Sequence, residues 1–462
     1  MVFSSLVFLF VFLPLSLVAY RLVSKKYKNL CLFLFSILFY AWGEPKYIFL
    51  MLGEILFDFA AGRLLARQTD RKKQKIILSV SICFVLGLLC FFKYAALLCG
   101  TASALFSVKL PAVSIALPIG ISFYTFESVS YLVDIYRGEA PAQTSLLNFG
   151  TYLSLFPHLI AGPIVKYSDI EPQLAERDVT RQDLAYGCRR FCVGLFKKVL
   201  LADQLAQVIS RLQYYDESTF LGAWIGALAF TFQIYFDFSG YSDMAIGLGR
   251  LFGFRLPENF NLPYLSGSAS EFWRRWHMTL GGWFRRYLYF PLGGNRCSKL
   301  KNVRNLAVVW TLTGLWHGAS WNFAFWGAYW GFLIICEKLF LGSLLDRIPR
   351  FFRWLYAFLA AVVGWVFFSN TDLLQAFTVL SAMFGFAPAA GSLSLYTAAT
   401  GGALLLISAI GSSPLPATAA ERLRSSGRAG KIIWNMGFAA LFLVTLSFLV
   451  RNSYSPFLYF RF

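Results

Sequence analysis

Charged side chains are scarce in this chain. Only 14% of its 462 residues are Asp, Glu, Lys or Arg, whereas a soluble globular protein carries about 25%. Hydrophobic residues make up 58%, in long runs that lack the alternation of a β-barrel strand. A soluble domain is therefore excluded. Because a backbone in lipid must close its own hydrogen bonds, the runs predict helices that cross a membrane.

Acidic residues are the scarcer charged type: 23 Asp and Glu stand against 42 Lys and Arg, a formal net charge of +19. The basic residues are spread over short loops between apolar runs. That pattern fixes membrane orientation and does not indicate nucleic-acid binding. The loops at 21–28, 63–75 and 274–304 are therefore predicted to face the cytoplasm, which makes the chain a multi-pass protein of the cytoplasmic, or inner, membrane.

Motifs that identify several other classes of protein are missing. The chain contains no P-loop, no GxGxxG after a strand and no GxSxG. The eight cysteines form no CxxC pair. Cys188 and Cys192 share a helix face but lack companion ligands, so we expect no metal site.

The apolar runs predict an all-α polytopic membrane protein with about eleven or twelve transmembrane helices. The runs within 305–340 are short and suggest helices that stop part-way through the bilayer. The run at 146–165 contains Pro157 and the pair Gly162-Pro163, which interrupt a straight span, so we expect a re-entrant segment there. The stretch 271–289 has aromatic residues on one helical face and basic residues on the other, which predicts an interfacial helix.

Histidine occurs only three times, and each histidine falls at one of these irregular places. His158 lies in the broken run, and His277 lies on or near the aromatic face of the interfacial helix. His317 ends an uncharged run just before the small residues at 318–320. An ionisable residue at membrane depth indicates a functional site. The alternatives are an amphipathic spacer for His277 and a core histidine bonded to a carbonyl for His317.

A polar cluster at 235–243 follows another long apolar run. It contains Asp237, Tyr241 and Asp243, and its two carboxylates are suited to orienting a histidine or a basic group. The alternative is that the carboxylates form ion pairs with nearby Arg250 or Arg255.

Four runs resemble the membrane-bound O-acyltransferase family, in its bacterial branch that O-acetylates alginate and other exopolysaccharides. They are FPHLIAGPIVKY (156–167), YFDFSGYSDMAIGLGRLFGF (235–254), NFNLPYLSGSASEFWRRWHMTLGGWFRRYLYFPLGGNR (259–296) and LTGLWHGASWNFAFWG (312–327). The resemblance implies a single membrane domain over 1–462 around a central funnel. Helices at 1–140 would precede a catalytic core at 146–340, and helices at 350–462 would follow it.

The same resemblance implies an enzyme that moves an acyl group, here acetyl, to hydroxyls of an exported or cell-surface polysaccharide. It makes His317 the main catalytic residue and His277 the second. Acyl transfer to a hydroxyl needs a base, and histidine suits that role. We expect Trp316 and Asn322 to hold the oxyanion and exclude water. The further substrate-binding residues expected are Trp276, Arg274, Asp237, Tyr241 and His158.

No bound cofactor is expected. The acyl donor implied is acetyl-CoA or an acyl carrier on the cytoplasmic side. The arginines within Arg274–Arg286 suit the phosphates of acetyl-CoA or the acidic surface of a carrier protein. The alternative is that these arginines anchor the chain to anionic lipid. An extracytoplasmic partner protein and the polysaccharide acceptor would lie on the other side. Two other functions stay open: a D-alanyl transferase for teichoic acid, and a secondary transporter or polysaccharide exporter.

Overall fold

The computed structural model describes residues 1–107, 115–214, 218–370, 372–451 and 457–458. Within these ranges all regular structure is helical, and no strand is present. The prediction of an all-α membrane protein is thereby confirmed. The described residues form two compact units, and each unit is assembled from several separate stretches of the chain.

The first unit comprises residues 1–191, 242–258 and 285–287. In it α3 packs against α4, α5 and α6, while α2 packs against α1 and α6. Short helical turns at Phe8–Phe12 and Lys25–Tyr27 precede α1 and α2. The helices are α1 (Leu13–Leu22), α2 (Lys28–Gly43), α3 (Ile48–Arg67), α4 (Arg71–Phe106), α5 (Ile121–Arg137), α6 (Leu146–Ser154), α7 (Tyr167–Ala175) and most of α8 (Arg181–Phe196).

The second unit comprises residues 192–241, 259–284 and 288–462. Its principal pairing joins α13 to α14, and α14 packs in turn against α16. Short helical turns lie at Lys197–Ala202, Pro263–Leu265 and Glu337–Leu341, and another, Arg285–Tyr289, begins in the first unit and ends in the second. The helices are α9 (Asp203–Tyr214), α10 (Phe220–Leu251, which ends in the first unit), α11 (Ala269–Arg275), α12 (Met278–Phe284), α13 (Lys299–His317), α14 (Trp321–Cys336), α15 (Gly342–Leu345), α16 (Arg350–Ser369), α17 (Leu373–Met383), α18 (Ser392–Gly411), α19 (Leu415–Ser425) and α20 (Arg428–Arg451).

Six of the described helices are long and apolar enough to cross a membrane, by length and composition, so the chain is a multi-pass membrane protein. Fewer helices meet this measure than the eleven or twelve spans expected, because several apolar runs form helices that are too short, such as α2 and α5, with 16 and 17 residues. The expected central funnel stays a prediction. The six lie at Arg71–Ser103, Phe220–Leu251, Trp321–Leu345, Arg350–Ser369, Ser392–Gly411 and Arg428–Arg451.

Exposed apolar side chains are abundant on the outer helices. Leu98 of α4, Leu406 of α18 and Leu443 of α20 are each more than 60% exposed. In contrast, α10 is buried along almost its whole second half. Apolar side chains that face outward on long helices are stable in lipid rather than water, so these helices present a surface suited to the bilayer.

The interfacial helix predicted at 271–289 is not continuous, and that part of the prediction is wrong. Helix α11 ends at Arg275 and α12 begins at Met278, so two residues separate them. The break occurs because the junction forms backbone hydrogen bonds with the preceding loop. The amide of Asn261 donates to the carbonyl of Arg275, and the amide of Met278 donates to the carbonyl of Asn259, each at 2.9 Å.

The break predicted around Pro157 is present. Helix α6 ends at Ser154 and α7 begins at Tyr167, and the intervening backbone is non-helical. Residues 155–165 are all buried. Buried irregular backbone is the form in which a broken segment is tolerated within a membrane protein.

Candidate active site

Helices α13 and α14 form a close-packed hairpin in the second unit. A Cβ atom on Gly314 would lie 2.4 Å from the Phe323 carbonyl oxygen and 3.0 Å from Gly327 Cα. A Cβ atom on Gly327 would meet the Trp310 carbonyl at the same 2.4 Å. Backbone therefore packs on backbone at both glycines, as small residues allow between membrane helices. This contact fixes where the end of α13 lies.

Gly314→Ala is therefore expected to destabilise the protein by about 1–3 kcal/mol, since the added methyl group meets backbone that cannot move aside. The matched control is Gly402→Ala in α18, where an added Cβ meets nothing within 4 Å. Thermal unfolding of both purified variants in detergent checks the prediction. If the two variants unfold at the same midpoint temperature, α13 and α14 are able to move apart and accommodate the added methyl group.

His317 is the last residue of α13 and is 6% exposed. Its ring lies against Trp326 with centroids 4.9 Å apart and against Phe368 at 5.4 Å, both nearly perpendicular. The next residue is Gly318, and a Cβ atom at this position would lie 2.1 Å from the Phe323 ring, so a residue without a side chain is needed there. The imidazole is thus held in an aromatic enclosure at a helix end, which is a low-dielectric environment that excludes water.

The short helix α11 is held in place by contacts from a distant part of the same unit. The buried carboxylate of Glu337 accepts hydrogen bonds from the amides of Ala269 at 2.6 Å and Ser270 at 2.8 Å. Ser268 Oγ accepts a third from the amide of Glu271. These contacts satisfy the otherwise unpaired amides of the first helical turn and place a negative charge at the positive end of the helix. They position the aromatic residues that α11 contributes to the core.

His277 occupies the two-residue junction between α11 and α12 and is 1% exposed. Its backbone has a φ of 43°, the left-handed region that residues with a Cβ seldom adopt. Its Nδ1 lies 3.0 Å from Asn259 Oδ1, and its ring packs edge-on against Phe238 at 4.7 Å. His277 lies outside the candidate membrane spans, and burial lowers its pKa to about 3. The imidazole is therefore neutral at physiological pH.

Trp316 joins the two histidines. Its indole ring lies 4.8 Å from the ring of His317 and 6.3 Å from that of His277, measured between centroids. Trp316 is itself 4% exposed. The structure thus brings together, around one indole ring, three residues that the sequence placed on two separate elements.

The other residues predicted in the second unit have different surroundings. Trp276 is buried and stacks on Phe272, with centroids 5.6 Å apart. Tyr241 is also buried, and its ring lies edge-on against Phe457 at 4.5 Å. Arg274 is exposed. The structure therefore gives Trp276 and Tyr241 packing contacts and leaves Arg274 accessible; their binding roles stay predictions.

Asn322 caps the end of α16. Its side-chain Nδ2 donates to the carbonyl of Asn370 at 2.8 Å and to that of Phe367 at 3.4 Å, and its Oδ1 accepts a hydrogen bond from Ser320 Oγ. Both amide hydrogens are thereby directed at carbonyl groups. The expected oxyanion contact competes with this capping contact for the same two hydrogens.

The carboxylates of the 235–243 cluster both lie in ion pairs, but the partners differ from those expected. Asp237 lies 2.6 Å from Lys198 Nζ in the second unit, and it also accepts the amide of Leu458 at 2.7 Å. Asp243, in the first unit, pairs with Arg190 at 2.7 Å. The alternative given by the sequence was an ion pair with nearby Arg250 or Arg255. Helix packing instead places Lys198 and Arg190 beside the two carboxylates, although each is more than 35 residues away in the chain.

His158, the third histidine, belongs to the first unit and is 1% exposed. Its Nδ1 lies 2.9 Å from Glu127 Oε1. The chain turns tightly around it: a Cβ on Gly162 would lie 2.4 Å from His158 Cα. Glu127, which the sequence analysis passed over, thus orients His158 and fixes which ring nitrogen faces away from the carboxylate.

Two further tryptophans were missed by the sequence analysis. The indole N–H groups of Trp273 and Trp326 are buried and have no hydrogen-bond partner among the described residues. The two rings lie 5.5 Å apart, and that of Trp326 contacts His317. Buried donors usually find acceptors, so these two N–H groups are candidates for contact with a substrate oxygen. The dense tryptophan content of 273–330 was the available signal.

A helical, multi-pass membrane protein with two buried histidines around one indole ring is the class that these features define. The sequence model of the family described as "MBOAT, membrane-bound O-acyltransferase family" matches residues 137–374 of this chain. The chain therefore belongs to that family. It is an O-acyltransferase.

Three relatives illustrate the similarity. The chain is 45% identical to the probable alginate O-acetylase AlgI of Azotobacter vinelandii, over 84% of this chain and 78% of the relative. It is 40% identical to the probable alginate O-acetylase AlgI of Pseudomonas putida, with both chains covered completely. It is 33% identical to the peptidoglycan O-acetyltransferase of Helicobacter pylori, over 83% of this chain and 80% of the relative.

Proposed function

We propose that this enzyme transfers acetyl groups to hydroxyls of an exported or cell-surface polysaccharide, with His317 as its main catalytic residue. The observation that carries the proposal is the placement of His317 at the end of α13, buried among aromatic rings, with His277 near the same Trp316 ring. The alginate and peptidoglycan relatives named above support a polysaccharide acceptor.

His317 acts as the base in this mechanism. The acceptor hydroxyl oxygen bonds to the carbonyl carbon of the donor thioester, and the carbon–sulfur bond then breaks. The hydroxyl proton passes to His317 and from there to the departing sulfur. The unpaired indole N–H groups of Trp273 and Trp326 are suited to stabilising the negative charge on the carbonyl oxygen.

The donor is acetyl-CoA or an acyl carrier on the cytoplasmic side of the inner membrane. Two arginines of the region, Arg274 and Arg285, are exposed, and guanidinium groups bind phosphate or carboxylate well. Others are already paired: Arg275 with Glu271 at 2.8 Å, and Arg286 with Glu139. An exposed arginine with no ion-pair partner among the described residues, such as Arg274, is therefore the better candidate for donor contacts. An extracytoplasmic partner protein and the polysaccharide complete the reaction on the other face.

The test is expression in a bacterium that secretes a polyuronate without acetyl groups because its own membrane O-acyltransferase is deleted, and that keeps its extracytoplasmic partner proteins. The polymer should gain ester-linked acetate, measured per sugar after mild alkaline release, only when the chain is present. Ester-linked D-alanine on teichoic acid in place of acetate would favour the D-alanyl transferase. Proton-coupled polymer export without any new ester would favour the transporter.

A further inference from the structure

The loop residue Asn259 lies against His277 in the second unit. Its side chain receives three contacts at one atom, Oδ1: His277 Nδ1 at 3.0 Å, Thr279 Oγ1 at 3.0 Å and the Thr279 amide at 3.3 Å. Asn259 is 0% exposed, so water does not replace any of these contacts. We propose that Asn259 is a positioning residue that holds His277 as the tautomer protonated on Nδ1.

The Thr279 amide decides which end of the Asn259 side chain faces the histidine. A backbone N–H only donates, so the atom that it contacts must be an acceptor and is therefore the amide oxygen rather than the nitrogen.

An amide oxygen facing Nδ1 requires a proton on Nδ1. The neutral imidazole carries one proton, so Nε2 then holds a lone pair and accepts hydrogen bonds. Nε2 is buried and has no hydrogen-bond partner among the described residues. The arrangement leaves Nε2 as one buried acceptor nitrogen that does not contact Asn259. The imidazole ring that carries it lies 6.3 Å from the Trp316 ring, which also contacts His317.

A backbone hydrogen bond keeps His277 and Asn259 next to each other. The Met278 amide donates to the Asn259 carbonyl at 2.9 Å, so the residue after the histidine is tied to the residue that orients it. The left-handed backbone of His277, with a φ of 43°, places its ring toward Asn259 at a cost of about 1 kcal/mol or more. Strain of this kind persists where the surrounding contacts over-determine the conformation.

The chemical role rests on the proposed function. In acyl transfer, Nε2 of His277 accepts a hydrogen bond from a neighbouring hydroxyl of the acceptor sugar and so orients the sugar, while the proton of the attacking hydroxyl passes to His317. A proton on Nε2 would instead repel the hydroxyl hydrogen. Asn259 therefore acts through His277 and does not itself touch the reacting atoms.

Nitrogen NMR of the protein labelled with ¹⁵N-histidine tests the tautomer without any activity measurement. Only three histidines contribute signals, and the difference from a His277→Gln spectrum assigns those of His277. In lipid nanodiscs we expect a protonated Nδ1 and a bare Nε2 in the wild type. Asn259→Asp, which keeps an acceptor oxygen, and Thr279→Val, which keeps the histidine contact, should both preserve this pattern. Asn259→Leu should lose it.

The second readout is acetate transfer at equal membrane abundance. Asn259→Leu should lower it about 10- to 100-fold, and Asn259→Asp should restore most of it. A wild-type Nε2–H tautomer, or an unchanged tautomer and rate in Asn259→Leu, would overturn the inference. If Asn259→Leu fails to accumulate, the wild-type spectrum alone decides. If the wild-type protein shows the Nδ1–H signal but transfers no acyl group, the proposed function is contradicted and the tautomer assignment is retained.

Discussion

His317→Gln is expected to lower polysaccharide O-acetylation by about 10²–10⁴-fold, the usual loss when a catalytic base is removed. Glutamine approximates the volume of the ring and forms hydrogen bonds, but it does not take up and pass on a proton. The substitution lies at the end of α13, where the close contact between Gly314 and Gly327 still holds the hairpin. The membrane abundance of the variant should therefore equal that of the wild type. Ester-linked acetate per sugar and immunoblotting of membranes provide the two measurements.

The control for this variant is Trp321→Phe, an exposed aromatic position at the start of α14 in the same hairpin. It should retain full activity. Normal acetylation by His317→Gln at normal abundance would contradict the catalytic role and make His317 a packing residue of the aromatic core.

Lys198→Met is expected to destabilise the protein by about 3–5 kcal/mol, the loss typical when one partner of a buried ion pair is removed. The ammonium group of Lys198 is 2% exposed and lies 2.6 Å from Asp237 and 2.8 Å from Asp203. Methionine keeps the length of the side chain, so the change removes charge rather than volume. Both carboxylates would lose this cation in a buried environment. Thermal unfolding in detergent and membrane abundance measure the effect.

Lys25→Met is the matched control, because Lys25 pairs with Asp178 at 3.0 Å but both side chains are about 70% exposed. An exposed pair is screened by solvent and contributes little to stability, so this variant should unfold close to the wild-type temperature. If Lys198→Met were equally stable and lost only activity, the Lys198–Asp237 pair would belong to the site and not to the scaffold.

The helical fold was predictable because lipid leaves few choices. Long apolar runs with 14% charged residues require backbone hydrogen bonds within each segment, and only helices provide them. Helix ends were less predictable. The break at Trp276 and His277 follows from hydrogen bonds to Asn259 and Asn261, and no local propensity signals such a contact. Periodicity therefore extended the helix across a junction that the loop interrupts.

The candidate site was predictable in part. The chain has only three histidines, which made them easy to single out, and the tryptophan-rich run after α13 indicated aromatic surroundings for them. The partners of the polar residues were not predictable, because ion pairs form between helix faces that meet only after packing. For Asp237 the sequence left open a role in orienting a histidine or a basic group and, as the alternative, an ion pair with Arg250 or Arg255; its partner is Lys198, 39 residues away. The capping roles of Asn322 and Glu337 likewise depend on helices that are distant in the chain.

Composition alone was enough to predict a helical membrane protein, because transfer from water to lipid depends on local chemistry. The resemblance of four runs to the O-acyltransferase family implied the enzyme activity and the roles of His277 and His317, which fit the side chains that acyl transfer requires. The common contact of the two histidines with Trp316, the contact of His277 with Asn259 and the pairing of Lys198 emerged only in three dimensions. Each depends on the distance and direction between atoms on different helices or loops, and packing within the second unit sets those distances.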